Sequence, residues 1–247
     1  MKLSVIGYWG AYPEKNSATS AYLLEEEGFK LLIDCGSGSL AQLQNYMELP
    51  ELDALILSHY HHDHVADVGS LQYALLIHTL LGKREGVFPI YGHDQDQEKF
   101  TTLTYREVTE GRPIQAGKPL SIGPWQVTFC PTVHPAYCLA MRFESTVSNK
   151  QLVYSADTTW SESLVSFARN AQLLLCEASF YDEEEQAQQS GHMTATMAGR
   201  LAQEAEVSRL LLTHLPHFGN HQELVKYAES QFDGPIMLAE GGLVIEI

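Results

Sequence analysis

The chain is poor in positive charge: 15 lysines and arginines stand against 31 aspartates and glutamates, a net charge of −16 over 247 residues. An extended nucleic-acid surface needs many cationic contacts to phosphate, so the charge weighs heavily against one and none is expected. An anionic small substrate is not, because divalent ions in a pocket dominate the field around them. Cysteine is scarce as well. The four thiols, at 35, 130, 138 and 176, form no C-x-x-C pair, and three of them sit in apolar strand-like runs. They read as reduced structural thiols and not as a disulfide framework or a cysteine zinc site. No apolar stretch approaches the length of a membrane span, and the first seven residues carry one lysine and too short an apolar run for a signal peptide. The expectation is a cytoplasmic protein with no membrane partner. No linker or low-complexity tract interrupts it, and 45% hydrophobic content is enough for one substantial core, so a single domain over residues 1–247 is expected.

What the sequence does hold is concentrated in Ser58-His59-Tyr60-His61-His62-Asp63-His64-Val65. Eleven histidines and nine aspartates in the whole chain would produce H-x-H-x-D-H by chance in roughly one such chain in a thousand. Neutral imidazole and carboxylate together suit zinc and ions of similar hardness. Residues i and i+2 of extended backbone point the same way, so His59 and His61 can serve one ion. Asp63 and His64 fall on the next bend and can serve a second. His62 is out of phase and is not expected to be a ligand.

The apolar run Leu55-Ile56-Leu57 before this loop reads as a buried strand. Upstream, Lys2 to Gly7 reads as a strand, and Ala21 to Leu24 with Phe29 to Ile33 as a hairpin closed by residues 26 to 28. Ser39 with Gln42 suggests a capping box for a helix carrying Leu40, Leu43 and Met47 on one face. Val65 to Leu81 reads as an apolar helix buried between layers, followed by a strand from Val87 to Tyr91 and a helix from Asp94 to Thr102. Short strands are expected from Val108 to Phe143, the run Trp125 to Cys130 leading to His134. Later strands end at Asp157, Glu177 and His214. Helices are expected at Ser161 to Ala168, at Ala195 to Ala205, and at Gln222 to Phe232 with Asn220 as its cap. The acidic run Asp182 to Glu185 reads as a solvated loop. Tyr8, Trp9 and Tyr12 read as core packing, with a base- or sugar-binding wall as the alternative. Two strand-rich regions, each followed by helices, suggest an α/β protein with two sheets packed face to face and helices outside.

Five strand ends thus carry the His59 loop, His134, Asp157, Glu177 and His214, and convergence of polar groups at one edge is how sites are built on rigid strands. A metal reading gives His59, His61 and His134 to one ion and Asp63, His64 and His214 to the other. Asp157 bridges them, and water activated as hydroxide lies between.

This ligand order resembles that of the metallo-β-lactamase fold superfamily, and the resemblance covers nearly the whole chain. It implies a four-layer α/β/β/α sandwich. It also implies two divalent cations, zinc foremost and manganese or iron acceptable to the same ligands. In Leu32-Ile33-Asp34-Cys35-Gly36, Asp34 matches the family's first motif, which implies that it orients the ligand loop. Leu175-Cys176-Glu177-Ala178-Ser179-Phe180 and Ser190-Gly191-His192-Met193-Thr194-Ala195 resemble motifs of the ribonuclease Z-like phosphodiesterase branch. By that likeness Glu177 orients or charges His192, and His192 protonates the leaving alkoxide or stabilises the transition state; Asp63 is counted with them as a catalytic side chain.

Ribonuclease Z proper carries a tRNA-gripping arm between the third histidine and the bridging aspartate, but His134 and Asp157 are only 23 positions apart (157 − 134). The expected substrate is therefore a small phosphodiester, such as a cyclic nucleotide or cyclic sugar phosphate. The rival readings are a carboxyl ester, thioester or lactone hydrolase of the same fold, and a metal-binding scaffold without catalysis. His217 and, more weakly, His93 are candidates for substrate contact; His78 and His221 fit helical faces. A homodimer is compatible with the same branch.

Overall fold

In a computed structural model describing residues 1–247, the apolar runs become strands β1 (Lys2–Gly7), β2 (Ala21–Glu26), β3 (Phe29–Ile33), β4 (Ala54–Ile56), β5 (Phe88–His93) and β6 (Thr109–Ile114), then β7 (Leu120–Ile122), β8 (Trp125–Pro131), β9 (Leu139–Ser145), β10 (Gln151–Tyr154), β11 (Leu173–Glu177), β12 (Leu210–Thr213), β13 (Ile236–Leu238) and β14 (Val244–Glu246). The helices are α1 (Ser39–Leu43), α2 (His62–Val65), α3 (Val68–Leu80), α4 (Gln97–Thr101), α5 (Glu162–Ala168), α6 (Glu184–Ser190), α7 (Ala195–Glu204) and α8 (His221–Glu229). The backbone groups into two compact units. The N-terminal one comprises Lys2–Gln115 with Gly241–Ile245, and the C-terminal one Ala116–Glu240 with Met1 and Glu246–Ile247.

The N-terminal unit is built on a seven-stranded mixed sheet of order β14-β1-β2-β3-β4-β5-β6. Strands β1 to β3 run antiparallel, with Tyr22 opposite Ile33 across the hairpin, and β3 to β6 run parallel, with Ile33 opposite Ile56. Parallel pairing has a direct consequence for the site. The residues that leave β3 and β4, Asp34 and Ser58, emerge at the same edge. Leu23, Leu32, Leu55 and Ile90 pack with Leu71 and Leu75 of α3 beneath them.

The C-terminal unit repeats the plan in its own sheet, β13-β12-β11-β10-β9-β8-β7, antiparallel from β7 to β10 and parallel from β10 to β13. Asp157, Glu177 and His214 therefore leave or end β10, β11 and β12 at one edge. The chain turns sharply there. Asp34, Ala156 and His214 all have left-handed backbone, with φ of 57°, 51° and 52°, a conformation that costs a non-glycine residue about 1–2 kcal/mol.

Several local expectations differ from what forms. Ser39 does not cap α1: Gly38 holds that position in left-handed conformation, and the Ser39 hydroxyl reaches Cys35 Sγ at 3.5 Å instead. Helix α3 is not buried all round. Leu71 and Leu75 face the core, but Tyr73, Ile77, Leu80 and Leu81 are exposed, because an apolar helix laid on a sheet covers only one stripe. The acidic run opens α6, with Glu184 and Glu185 in its first turn, where carboxylates favour the helix dipole. The short strands β13 and β14 carry too little pattern to be read. Of the early aromatics Trp9 is buried, whereas Tyr12 is 58% exposed.

All four cysteines are free thiols. Burial pushes the Cys35 thiol up to about 12 and Cys176 upward as well, so both stay protonated and unreactive at neutral pH. No helix is long and apolar enough to cross a membrane.

Candidate metal centre

In the N-terminal unit one buried carboxylate organises the histidines. Asp34 Oδ1 accepts the Ser58 amide at 2.7 Å, and Asp34 Oδ2 accepts the Ser58 hydroxyl at 2.9 Å. His64 Nδ1–H donates to the same Oδ2 at 2.8 Å. Having given its proton to Asp34, the Ser58 oxygen is left to accept from His59 Nδ1–H at 3.0 Å. One acid thus fixes two imidazole tautomers, one directly and one through a hydroxyl, and makes Nε2 the lone-pair nitrogen of both rings.

The ring of His59 packs edge-on to His61 at 4.7 Å and tilted to His64 at 4.2 Å. Coordinating atoms of His59 and His61 fall within 4.8 Å of each other, as their spacing along the loop predicts. Asp63, in the first turn of α2, accepts the Ala11 amide on Oδ2 at 2.8 Å and places that oxygen 3.7 Å from His64 Nε2. His62 is exposed.

The C-terminal unit uses the same device with a glutamate. Glu177, 1% exposed, accepts the amides of Thr158 at 2.6 Å and Met193 at 3.2 Å, and the Ser179 hydroxyl at 2.7 Å. His192 Nδ1–H lies 3.0 and 3.1 Å from its two oxygens. The Ser179 oxygen in turn accepts from His214 Nδ1–H at 2.8 Å. Again a single carboxylate holds two imidazoles, His192 directly and His214 through serine.

His134 is fixed differently, its Nδ1–H donating to the Gly191 carbonyl at 3.0 Å. Gly191 has φ +77°, and a Cβ there would come within 2.4 Å of Pro135 Cδ, so only glycine lets this carbonyl reach the ring. His192 is framed by the His134 ring at 5.1 Å and the His214 ring, stacked at 5.3 Å. Asp157, 2% exposed, places Oδ2 3.4 Å from His214 Nε2 and 3.9 Å from His134 Nε2.

These separations bear on whether a cation fits. Two ligands each about 2.1 Å from a tetrahedral ion lie about 3.4 Å apart, longer than a good hydrogen bond. The carboxylate–imidazole distances of 3.4, 3.7 and 3.9 Å are of that kind. With Nδ1 already committed and Nε2 bearing the lone pair, the donor set is one that fits divalent metal. Glu177, His192 and His214 also bring coordinating atoms within 4.8 Å of one another. Their Nδ1 protons are engaged toward the glutamate, so that trio reads as a hydrogen-bond relay.

Every residue singled out in the sequence for this chemistry has a place. Asp34, His59, His61, Asp63 and His64 come together in the N-terminal unit; His134, Asp157, Glu177, His192 and His214 come together in the C-terminal one. His217 is half-buried three residues past His214 and belongs to no metal-competent group. His93 ends β5, buried against Tyr60 with rings 4.4 Å apart, and is part of the packing. Ser58 and Ser179 were not foreseen. Their one signal is adjacency to a ligand or to Glu177, which no pattern distinguishes from an ordinary loop serine.

Residues 30–215 match a family model described as a β-lactamase superfamily domain. Over 246 residues the chain is 46% identical to the probable metallo-hydrolase YhfI of Bacillus subtilis, covering 100% of both chains. It superposes on the crystal structure of that metallo-β-lactamase fold protein with a TM-score of 0.97, over 100% of this chain and 99% of that one. It is 27% identical to a ribonuclease Z of Haloferax volcanii, covering 100% of this chain and 95% of that protein. Human tRNase Z, short form, at 21% identity and a TM-score of 0.78 over 100% and 99% of the two chains, shares the fold.

Proposed function

The chain belongs to the β-lactamase superfamily, and on that footing we propose that it is a metal-dependent hydrolase of small phosphodiesters that works with two divalent cations. In this reading His59 and His61 join His134 and Asp157 around one cation. Asp63 and His64 join Asp157 and His214 around the other. Zinc suits this nitrogen and carboxylate set, and manganese or iron can replace it. When bound, the pair supplies Lewis acidity and lowers the pKa of water toward 7.

The chain's own groups do the rest. Asp63, tethered by the Ala11 amide, takes the proton released by the attacking water. As the new P–O bond forms, the ester bond opposite breaks, its electron pair goes to the leaving oxygen, and His192 Nε2 delivers a proton there. The observation that carries the reading is the contact of His192 Nδ1 with both oxygens of Glu177. It holds the Nδ1 proton in place and makes Nε2 the nitrogen that exchanges a proton with substrate. A thiolate departs from a thioester unaided, whereas an alkoxide leaving phosphorus needs such a donor. The ribonuclease Z among the relatives cleaves a phosphodiester by name and favours the same class.

A substrate panel tests this. Metal-loaded protein is expected to turn over bis(p-nitrophenyl) phosphate and cyclic phosphodiesters, to lose that activity with chelator and to regain it with zinc or manganese. Turnover of lactones or thioesters in place of phosphodiesters would transfer the protein to the carbonyl hydrolases, and bound metal with no turnover would make it a scaffold.

The serine relay gives a separate expectation. Ser179→Ala removes the hydroxyl that orients His214, and metal affinity measured by chelator competition is expected to fall about 10- to 100-fold, with Ser179→Thr restoring most of it. Unchanged affinity in the alanine variant would remove the relay from the account.

A further inference from the structure

The loop that follows His214 carries an exposed aromatic ring held in a prepared position. Phe218 is 52% exposed, yet its backbone is fixed: the Tyr181 hydroxyl donates to the Phe218 carbonyl at 2.8 Å. The next residue, Gly219, has φ +76°, and a Cβ there would lie 2.3 Å from that hydroxyl oxygen, so the close approach depends on glycine. The Phe218 ring meets Tyr181 at 5.8 Å and Phe180 edge-to-face at 6.4 Å.

Phe180 is itself tied to the reacting groups. It directly follows Ser179, the serine on His214. Its amide donates to the Met193 carbonyl at 3.2 Å, and its carbonyl accepts the Ala195 amide at 2.8 Å, which stitches it beside the residue after His192. A lone exposed phenylalanine is ordinary on a protein surface. One whose loop is clamped by Tyr181, and whose buttress Phe180 is bonded beside His192 and follows the serine on His214, is placed to meet substrate.

We infer that Phe218, backed by Phe180, is the platform on which the planar ring of a base-bearing phosphodiester lies, making a nucleotide with a strained or simple diester linkage the substrate class. The inference rests on the phosphodiesterase reading above. Its chemistry follows from the proton: the leaving oxygen takes it from His192, and the residues after His192, Met193 and Ala195, hold Phe180 behind the Phe218 ring, so the group carrying that oxygen, a nucleoside sugar with its base, is assigned to this face. Face stacking is also the means of holding the organic part that suits a strongly acidic chain, because it needs no cations and tolerates any base.

The test compares a 2′,3′-cyclic nucleotide with glycerol 1,2-cyclic phosphate, which has the same reacting group and no ring. Phe218→Ala is expected to raise KM for the nucleotide about tenfold, equivalent to about 1.4 kcal/mol. It should leave KM for the glycerol diester and kcat for both within threefold, and Phe218→Tyr should behave as wild type. Equal effects on both substrates, or none on the nucleotide, would overturn the assignment. A second readout needs no turnover: calorimetric binding of adenosine monophosphate and of ribose 5-phosphate to the metal-loaded protein. Tighter binding of the nucleotide, lost in Phe218→Ala, upholds the platform even if no diester is cleaved, in which case only the reaction falls. Equal binding of the two ligands removes the platform whatever the reaction.

Discussion

His192→Ala is expected to lower kcat by about 10²- to 10⁴-fold, the range that a positioned proton donor supplies, with the metal content of the purified protein unchanged. The separation of the two effects comes from the hydrogen bonding. His192 spends Nδ1 on Glu177, and its ring packs on His134 and His214 without fixing the tautomer of either, which is set by the Gly191 carbonyl and by Ser179. Deleting the imidazole therefore removes a proton and leaves the ligands oriented. The size of the loss should depend on the leaving group. p-Nitrophenolate departs without help, so turnover of bis(p-nitrophenyl) phosphate should fall far less than turnover of an alkyl diester. Loss of metal from the variant, or the same loss of rate for both leaving groups, would end the proton-donor role.

The larger effect is expected at Asp157. Asp157→Ala should remove both cations and take activity below detection, more than about 10⁴-fold, because the proposed bridge is the one side chain shared by both ions. Metal analysis after dialysis checks this directly. Stability gives an independent reading. A ligand that binds only the folded state at a hundred times its Kd adds about 2.7 kcal/mol, so the melting temperature of wild type should fall on chelation while that of the variant does not respond. In the metal-free protein the substitution should cost little, since it deletes a nearly buried carboxylate whose desolvation opposes folding. Two ions per chain retained in the variant would refute the bridging role.

How far the sequence spoke depends on whether the information was local. The strands that carry the site were readable because each is a short apolar run ended by a polar residue: Ile33 then Asp34, Leu57 then Ser58 and His59, Thr213 then His214. Parallel pairing of β3 with β4, and of β11 with both β10 and β12, then did the rest by bringing the ends within each sheet to one edge of that sheet. What escaped were features created by tertiary neighbours. Ser39 carries a capping signal, but Gly38 takes that place and the hydroxyl turns to Cys35. Helix α3 is apolar on every side, and nothing in its composition says which stripe the sheet will cover. Ser58 and Ser179 matter through distances of 3.0 and 2.8 Å to imidazoles, and hydroxyls are too common for adjacency to have singled them out.

One strand bears on how this molecule comes into being. β14 lies beside β1 at the margin of the first sheet, although β6, the last of the other strands in that sheet, ends at Ile114, 130 positions before Val244. During synthesis at about 5–20 residues per second, β1 waits many seconds with its outer backbone unpaired, an invitation to other nascent chains. Trimming the polypeptide before Val244 would make that interval permanent. Shortened versions should then be recovered as insoluble material from a culture that yields the intact protein in solution.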